Sequence, residues 1–145
     1  MKRSIAVAVM GALLLAGCGT ITAAQSVRNW TKQANFASNT RTLVNDAKTS
    51  VGQLRRASTA APVLHTVCGV LLTDTEAANA SLPSPDAQAN NWLAPAYINL
   101  GAGANTCYNA AGDPQLRAKA IAYLRHGVAQ LSFGALRLAS AVAGP

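Results

Sequence analysis

The sequence predicts an all-α fold: an antiparallel up-down bundle of about four helices, stapled by one disulfide. Three observations predict it. Alanine supplies 31 of the 145 residues, whereas Trp, Tyr and Phe together supply seven; helices favour alanine and leucine, and strands favour β-branched and aromatic side chains. Apolar residues recur at steps of three and four over long stretches. Prolines with capping residues beside them separate the later stretches. The length is that of one domain. Half of the residues are hydrophobic and 12% are charged, which excludes a disordered polyelectrolyte.

The first element precedes the fold. Met1-Lys2-Arg3-Ser4 is basic, Ile5 to Ala16 carries no charge, and Gly17-Cys18 follows. A basic start, roughly a dozen apolar residues and a small-residue end define a secretory leader, too short for the roughly 20 residues of a membrane span. Leu15-Ala16-Gly17-Cys18 resembles the lipobox of bacterial lipoproteins. That resemblance implies cleavage after Gly17, a diacylglyceryl group on the Cys18 sulfur, palmitate-type acylation and a membrane address. Two acyl chains, at roughly 0.8 kcal/mol per buried methylene, anchor durably where one does not. Residues 1–17 are then the leader, 18–25 the lipidated cysteine and its tether, and 26–145 the helical domain. Gly19 carries no acidic retention signal, which leaves an outer-membrane site open in a Gram-negative host. The excess of arginine over lysine and the alanine content point instead to a high-GC Gram-positive host and the outer face of its plasma membrane.

A single long helix is expected from about Ser26 to Ala57. Val27, Trp30, Ala34, Ala37, Val44, Ala47, Val51 and Leu54 form its stripe, and no proline interrupts it. After Ser58-Thr59-Ala60-Ala61-Pro62, a second helix runs to about Ala80 on Leu64, Val67, Cys68, Leu71, Leu72, Thr75 and Ala78. Thr59 or Ala61 would precede it, with Pro62 early, where a missing N–H costs nothing. Leu82-Pro83-Ser84-Pro85-Asp86 is the clearest turn, with Ser84 as N-cap and Asp86 favourable to the helix dipole. The third helix carries Trp92, Leu93, Ala96, Tyr97, Leu100, Ala104, Cys107 and Tyr108, with Pro95 expected to bend it. Asp113-Pro114 repeats the cap-then-proline signal, and Leu116, Ala120, Leu124, Val128, Leu131, Ala135, Leu138 and Val142 line the last helix. Short links between successive helices favour antiparallel neighbours.

With Cys18 lipidated, Cys68 and Cys107 are an even pair in an exported chain, which predicts a disulfide. An ideal hairpin would leave them offset by roughly 10 Å along the helix axis, too far to bridge. Either residues 77–84 form an extended loop, or Pro95, Gly101 and Gly103 shorten the third helix.

Charge is uneven along the chain. Arg28, Lys32, Arg41, Lys48, Arg55 and Arg56 face only Asp46 in residues 19–58, whereas residues 59–111 hold Asp74, Glu76 and Asp86 with no cation. The basic segment therefore follows the anchor directly, and anionic lipid is its natural counter-charge, with Arg28 and Lys32 nearest the membrane. Nucleic acid is not expected as a partner of an exported chain.

Catalytic machinery is sparse. No nucleophile elbow, P-loop or H-E-x-x-H occurs, and Gly101-Ala102-Gly103 reads as small residues at a helix crossing. His65 and Cys68 share a helix face and, with Cys107 and His126, would make a soft metal set, but the disulfide consumes both thiols; no metal or cofactor is expected. Asp74 and Glu76 lie on different faces and cannot act as an acid/base pair. Trp92 and Tyr97 are the candidate walls of a ligand groove.

The Cys-bearing second helix, the Leu-Pro-Ser-Pro-Asp turn and Gly-Ala-Gly-Ala-Asn-Thr-Cys resemble small lipoproteins of high-GC Gram-positive bacteria over roughly residues 60–140. The resemblance implies the fold and the address, and no activity. The expected function is a non-enzymatic structural or interaction module of the cell envelope with a protein partner there. The alternative is a carrier or sensor of a small apolar or lipid ligand held between the helices.

Overall fold

The computed structural model describes residues 21–143; the leader, Cys18 and the start of the tether lie outside the described residues. Among these there is no strand, and five helices follow one another: α1 (Ala23–Gln33), α2 (Phe36–Leu54), α3 (Ala61–Asn79), α4 (Ala87–Tyr108) and α5 (Pro114–Ala143). The buried core draws on residues from Val27 to Leu138, and all five helices contribute to it.

The expected single helix over 26–57 is two helices. Asn35 adopts the left-handed conformation at φ 47°, which asparagine tolerates and which ends helices. The Asn39 side-chain amide donates to the Ala34 carbonyl at 2.9 Å, satisfying a backbone acceptor freed by the break. Turning there lets Val27 bury on the end of α5 while Phe36 and Leu43 enter the core from α2. The first helix also begins earlier than expected. Thr22 caps α1, its hydroxyl accepting the Gln25 N–H at 3.2 Å, so helix begins at Ala23 and not near Ser26.

The later boundaries differ by one or two residues. The residue preceding α3 is Ala60, and Thr59 instead donates its hydroxyl to the Gln53 carbonyl at 2.8 Å. Asp86, not Ser84, caps α4: its Oδ1 accepts the Ala89 N–H at 2.7 Å. Ser84 is buried, and its backbone is held by both ends of the Asn90 amide at 2.8 and 2.9 Å. Asp113 caps α5 as expected, with Oδ1 accepting from Gln115 and Leu116.

Glycine sets how closely α4 and α5 approach. A Cβ on Gly103 would meet Leu124, one on Gly127 would meet Leu100, and one on Gly134 would meet Leu93. The numbers fall on one helix as they rise on the other, so the pair runs antiparallel. At Gly127 the obstacles include backbone, the Ala96 carbonyl oxygen and the Leu100 nitrogen, both at 3.0 Å. Backbone cannot step aside as a side chain can. Gly127→Ala should therefore lower stability by about 2 kcal/mol through overpacking, although alanine is the better helix former. Gly52, on α2, has nothing within 4 Å of an added Cβ, so Gly52→Ala should raise stability by about 1 kcal/mol. Urea unfolding of the two variants reads both signs.

The disulfide joins Cys68 and Cys107 with Cα atoms 5.9 Å apart. Neither anticipated solution to its offset holds in full, because α3 does not end early and α4 is continuous through Pro95. Thr75 lies against Gly101, and that register sets the end of α3 beside the middle of α4, near residue 97. Residues 80–86 then run back along the first turns of α4, roughly 15 Å at the helical rise. The link is extended, but it begins three residues later than expected.

Candidate functional site

The end of the molecule where the described chain begins is built around α1. Trp30 reaches across and donates its indole N–H to the Ser81 carbonyl at 2.9 Å, fastening α1 to the α3–α4 link. Arg28 donates to the Val142 carbonyl at 3.1 Å, a cation at the negative end of α5. Arg28 and Lys32 are both exposed on this end, one helical turn apart as expected. Lys32 also lies on the rim of a hollow of about 640 Å³ over Phe36, Thr40, Ala135 and Leu138.

At the same end Arg137 grips Asp86 with two hydrogen bonds, 3.1 and 2.8 Å, the one ion pair among the described residues. The guanidinium, helped by the Ala89 N–H and opposed by burial, holds the Asp86 carboxyl below the usual range. A depressed folded pKa stabilises above the unfolded value, near 3.9, and that contribution is lost as pH falls through the folded value. Asp46 on α2 is the opposite case: burial first, then the adjacent Asp74 carboxyl on α3, push it up. Its charged form opposes folding, so its favourable contribution disappears as pH rises through the folded value. Asp46→Asn should therefore raise the melting temperature at pH 7 and lose that advantage in acid. Asp86→Asn should lower it at pH 7 and match the parent near pH 2. Thermal melts over pH 2–8 check both.

Trp92 and Tyr97 do not share a groove wall. Tyr97 is 4% exposed, inside the core, where burial raises its hydroxyl to about 12. Trp92 is 42% exposed and packs on Phe133 with ring centroids 5.0 Å apart. Five residues apart on one helix, they point about 140° from each other. His65 stacks on Tyr108 at 4.1 Å beside the disulfide, which engages both thiols of the weighed metal set. No group of three or more metal-ligating side chains occurs among the described residues, and none of the described helices is long and apolar enough to cross a membrane.

Two features escaped the sequence reading. One is a groove of about 410 Å³ between α2 and α5, lined by Ala47, Val51, Gly52, Leu124 and Val128 and rimmed by Lys48, Arg55 and Arg125. Its signal was the seven-residue spacing of Lys48 and Arg55 with a glycine between them. The other is Arg117, 7% exposed. Its guanidinium donates to four carbonyls: Ala110 at 3.2 Å, Leu54 at 3.2 Å, Arg56 at 2.7 Å and Thr59 at 3.0 Å. Its signal was a cation in register with the core stripe Ala120, Leu124 and Leu131.

No known family, curated protein or solved structure matches the chain.

Proposed function

We propose that this protein is a lipid-anchored module of the cell envelope, non-enzymatic, held at the extracytoplasmic face of the membrane through Cys18. In this reading α2–α5 form an antiparallel up-down four-helix bundle, and α1 folds across its membrane-facing end. The carrying observation is the spacing between Leu15-Ala16-Gly17-Cys18 and Thr22, the cap of α1. Four residues, even fully extended, reach only about 14 Å. The end bearing Arg28 and Lys32 is therefore kept near the headgroups, where each cation adds about 1 kcal/mol with anionic lipid. The remaining surface of the bundle is available to an envelope protein.

Cys18→Ser tests the anchor. The variant should appear in detergent-free soluble fractions or accumulate uncleaved; unchanged processing and detergent partition would refute the lipoprotein reading. Residues 19–145 without the lipid should bind anionic vesicles weakly, with binding lost in high salt. Charge reversal at Arg28 and Lys32 should weaken that binding more than reversal at Arg55 and Arg56. Equal affinity for neutral and anionic vesicles would reduce the cations to a solvated surface.

A further inference from the structure

We propose that the groove between α2 and α5 binds an anionic amphiphile: one acyl chain on the apolar floor, its carboxylate or phosphate head held by Lys48, Arg55 and Arg125. The floor is apolar because Ala47, Val51, Leu124 and Val128 meet there, and Gly52 leaves the wall open beside them. Its volume of about 410 Å³ lies within the range of small-molecule sites, roughly 300–1,000 Å³.

Charge selects the occupant. Lys48 on α2 and Arg55, which caps the end of that helix, are two turns and about 10 Å apart along one side, and Arg125 of α5 lines the same groove. None of the three has a carboxylate partner among the described residues, whose single ion pair is Arg137 with Asp86. Three like charges around an uncharged floor repel one another until an anion joins them. The other hollows hold fewer uncommitted cations, and in the one that Arg55 also lines the second cation is Arg117, already engaged with four backbone carbonyls. The one over Phe36 and Leu138 has a single cation, and the one at Asp86 and Arg137 is already neutralised. A docked helix is a poorer occupant, since a stable interface takes roughly 20–30 residues a side and eight residues line this groove.

This inference does not depend on the lipid anchor. It is tested on residues 19–145, which hold the whole described core from Val27 to Leu138. Calorimetric titration below the critical micelle concentration uses hexadecanoate, hexadecanol, hexadecanoyl lysophosphatidate and inorganic phosphate. Hexadecanoate or the lysophosphatidate should bind with one molecule per chain, at least about tenfold tighter than hexadecanol, the effect of a charge-assisted contact. Whichever head binds tighter identifies the anion. Shortening the chain should weaken binding up to about fourfold per methylene. Gly52→Leu fills the open wall without a backbone clash and should weaken binding at least about tenfold while the melting temperature is kept or raised. Lys48→Glu with Arg125→Glu should weaken the anionic probes and spare hexadecanol. The proposal is overturned by hexadecanol binding as tightly as hexadecanoate, by inorganic phosphate alone matching the amphiphiles, or by affinity indifferent to Gly52→Leu. Gly52→Leu dissociating a dimer of this chain would also overturn it, making the groove a contact between copies.

Discussion

Arg117→Ala should lower the free energy of unfolding by about 4 kcal/mol, the scale of several charge-assisted hydrogen bonds lost together with buried carbonyls left unpaired. The four carbonyls that Arg117 holds come from the end of α2, the α2–α3 link and the α4–α5 link. One side chain thus closes the end of the molecule opposite α1. No carboxylate among the described residues pairs with it. Its charge is offset by carbonyl dipoles, including that of Leu54 at the negative end of α2 and that of Arg56 just beyond it. Arg117→Lys should recover less than half of the loss, because an ammonium cannot reproduce the planar fork that addresses three backbone segments at once. Arg117→Met keeps the packing of the stem and should fall near the alanine variant. Urea denaturation with a common slope measures all three; a loss below about 1 kcal/mol would mean that water replaces the guanidinium, and the clasp would be of no consequence.

Replacing both Cys68 and Cys107 by alanine should also cost about 4 kcal/mol, for a different reason. The bridge closes a loop with a sequence separation of 39, and on the chain-entropy model such a loop removes roughly that much freedom from the unfolded chain. Both half-cystines are fully buried, and alanine leaves no unpaired hydroxyl there as serine would. The parent protein should show no free thiol in mass spectrometry of the non-reduced chain. Stoichiometric zinc, or two free thiols per chain, would restore His65 and His126 as candidate ligands.

The two predictions differ in where their information lies. The disulfide was legible because, with Cys18 read as the proposed lipid site, Cys68 and Cys107 have one pairing to make. Helix positions were legible from period and punctuation: Asp113-Pro114 and Leu82 through Asp86 mark breaks by local chemistry that acts within a few residues. The lipobox-like Leu15-Ala16-Gly17-Cys18, on which the proposed address rests, is local in the same way. Asn35 shows the limit. Its neighbours continue a helical stripe, and the turn there forms because α1 gains burial for Val27 and a bond from Trp30 to Ser81, 51 residues away. Periodicity cannot see a partner so distant.

Trp92 and Tyr97 make the same point for the site. Sequence named both as aromatic walls, yet five residues of helix turn one into the core and leave the other at the surface. Gly52, Gly127 and Gly134 are alike in the sequence, and only the neighbouring helix decides that two of them permit close approach while the third opens a groove. Arg117 is one more cation in the sequence, and only three backbone segments brought together by the fold supply its acceptors. By itself the sequence determined what short-range forces determine: the helical class, most helix ends and the cysteine pair. The tertiary structure decided the break at Asn35, the close seam of α4 on α5, the open seam of α2 on α5 and the acceptors of Arg117. Those depend on contacts between residues tens of positions apart, where burial of apolar surface outweighs local preference.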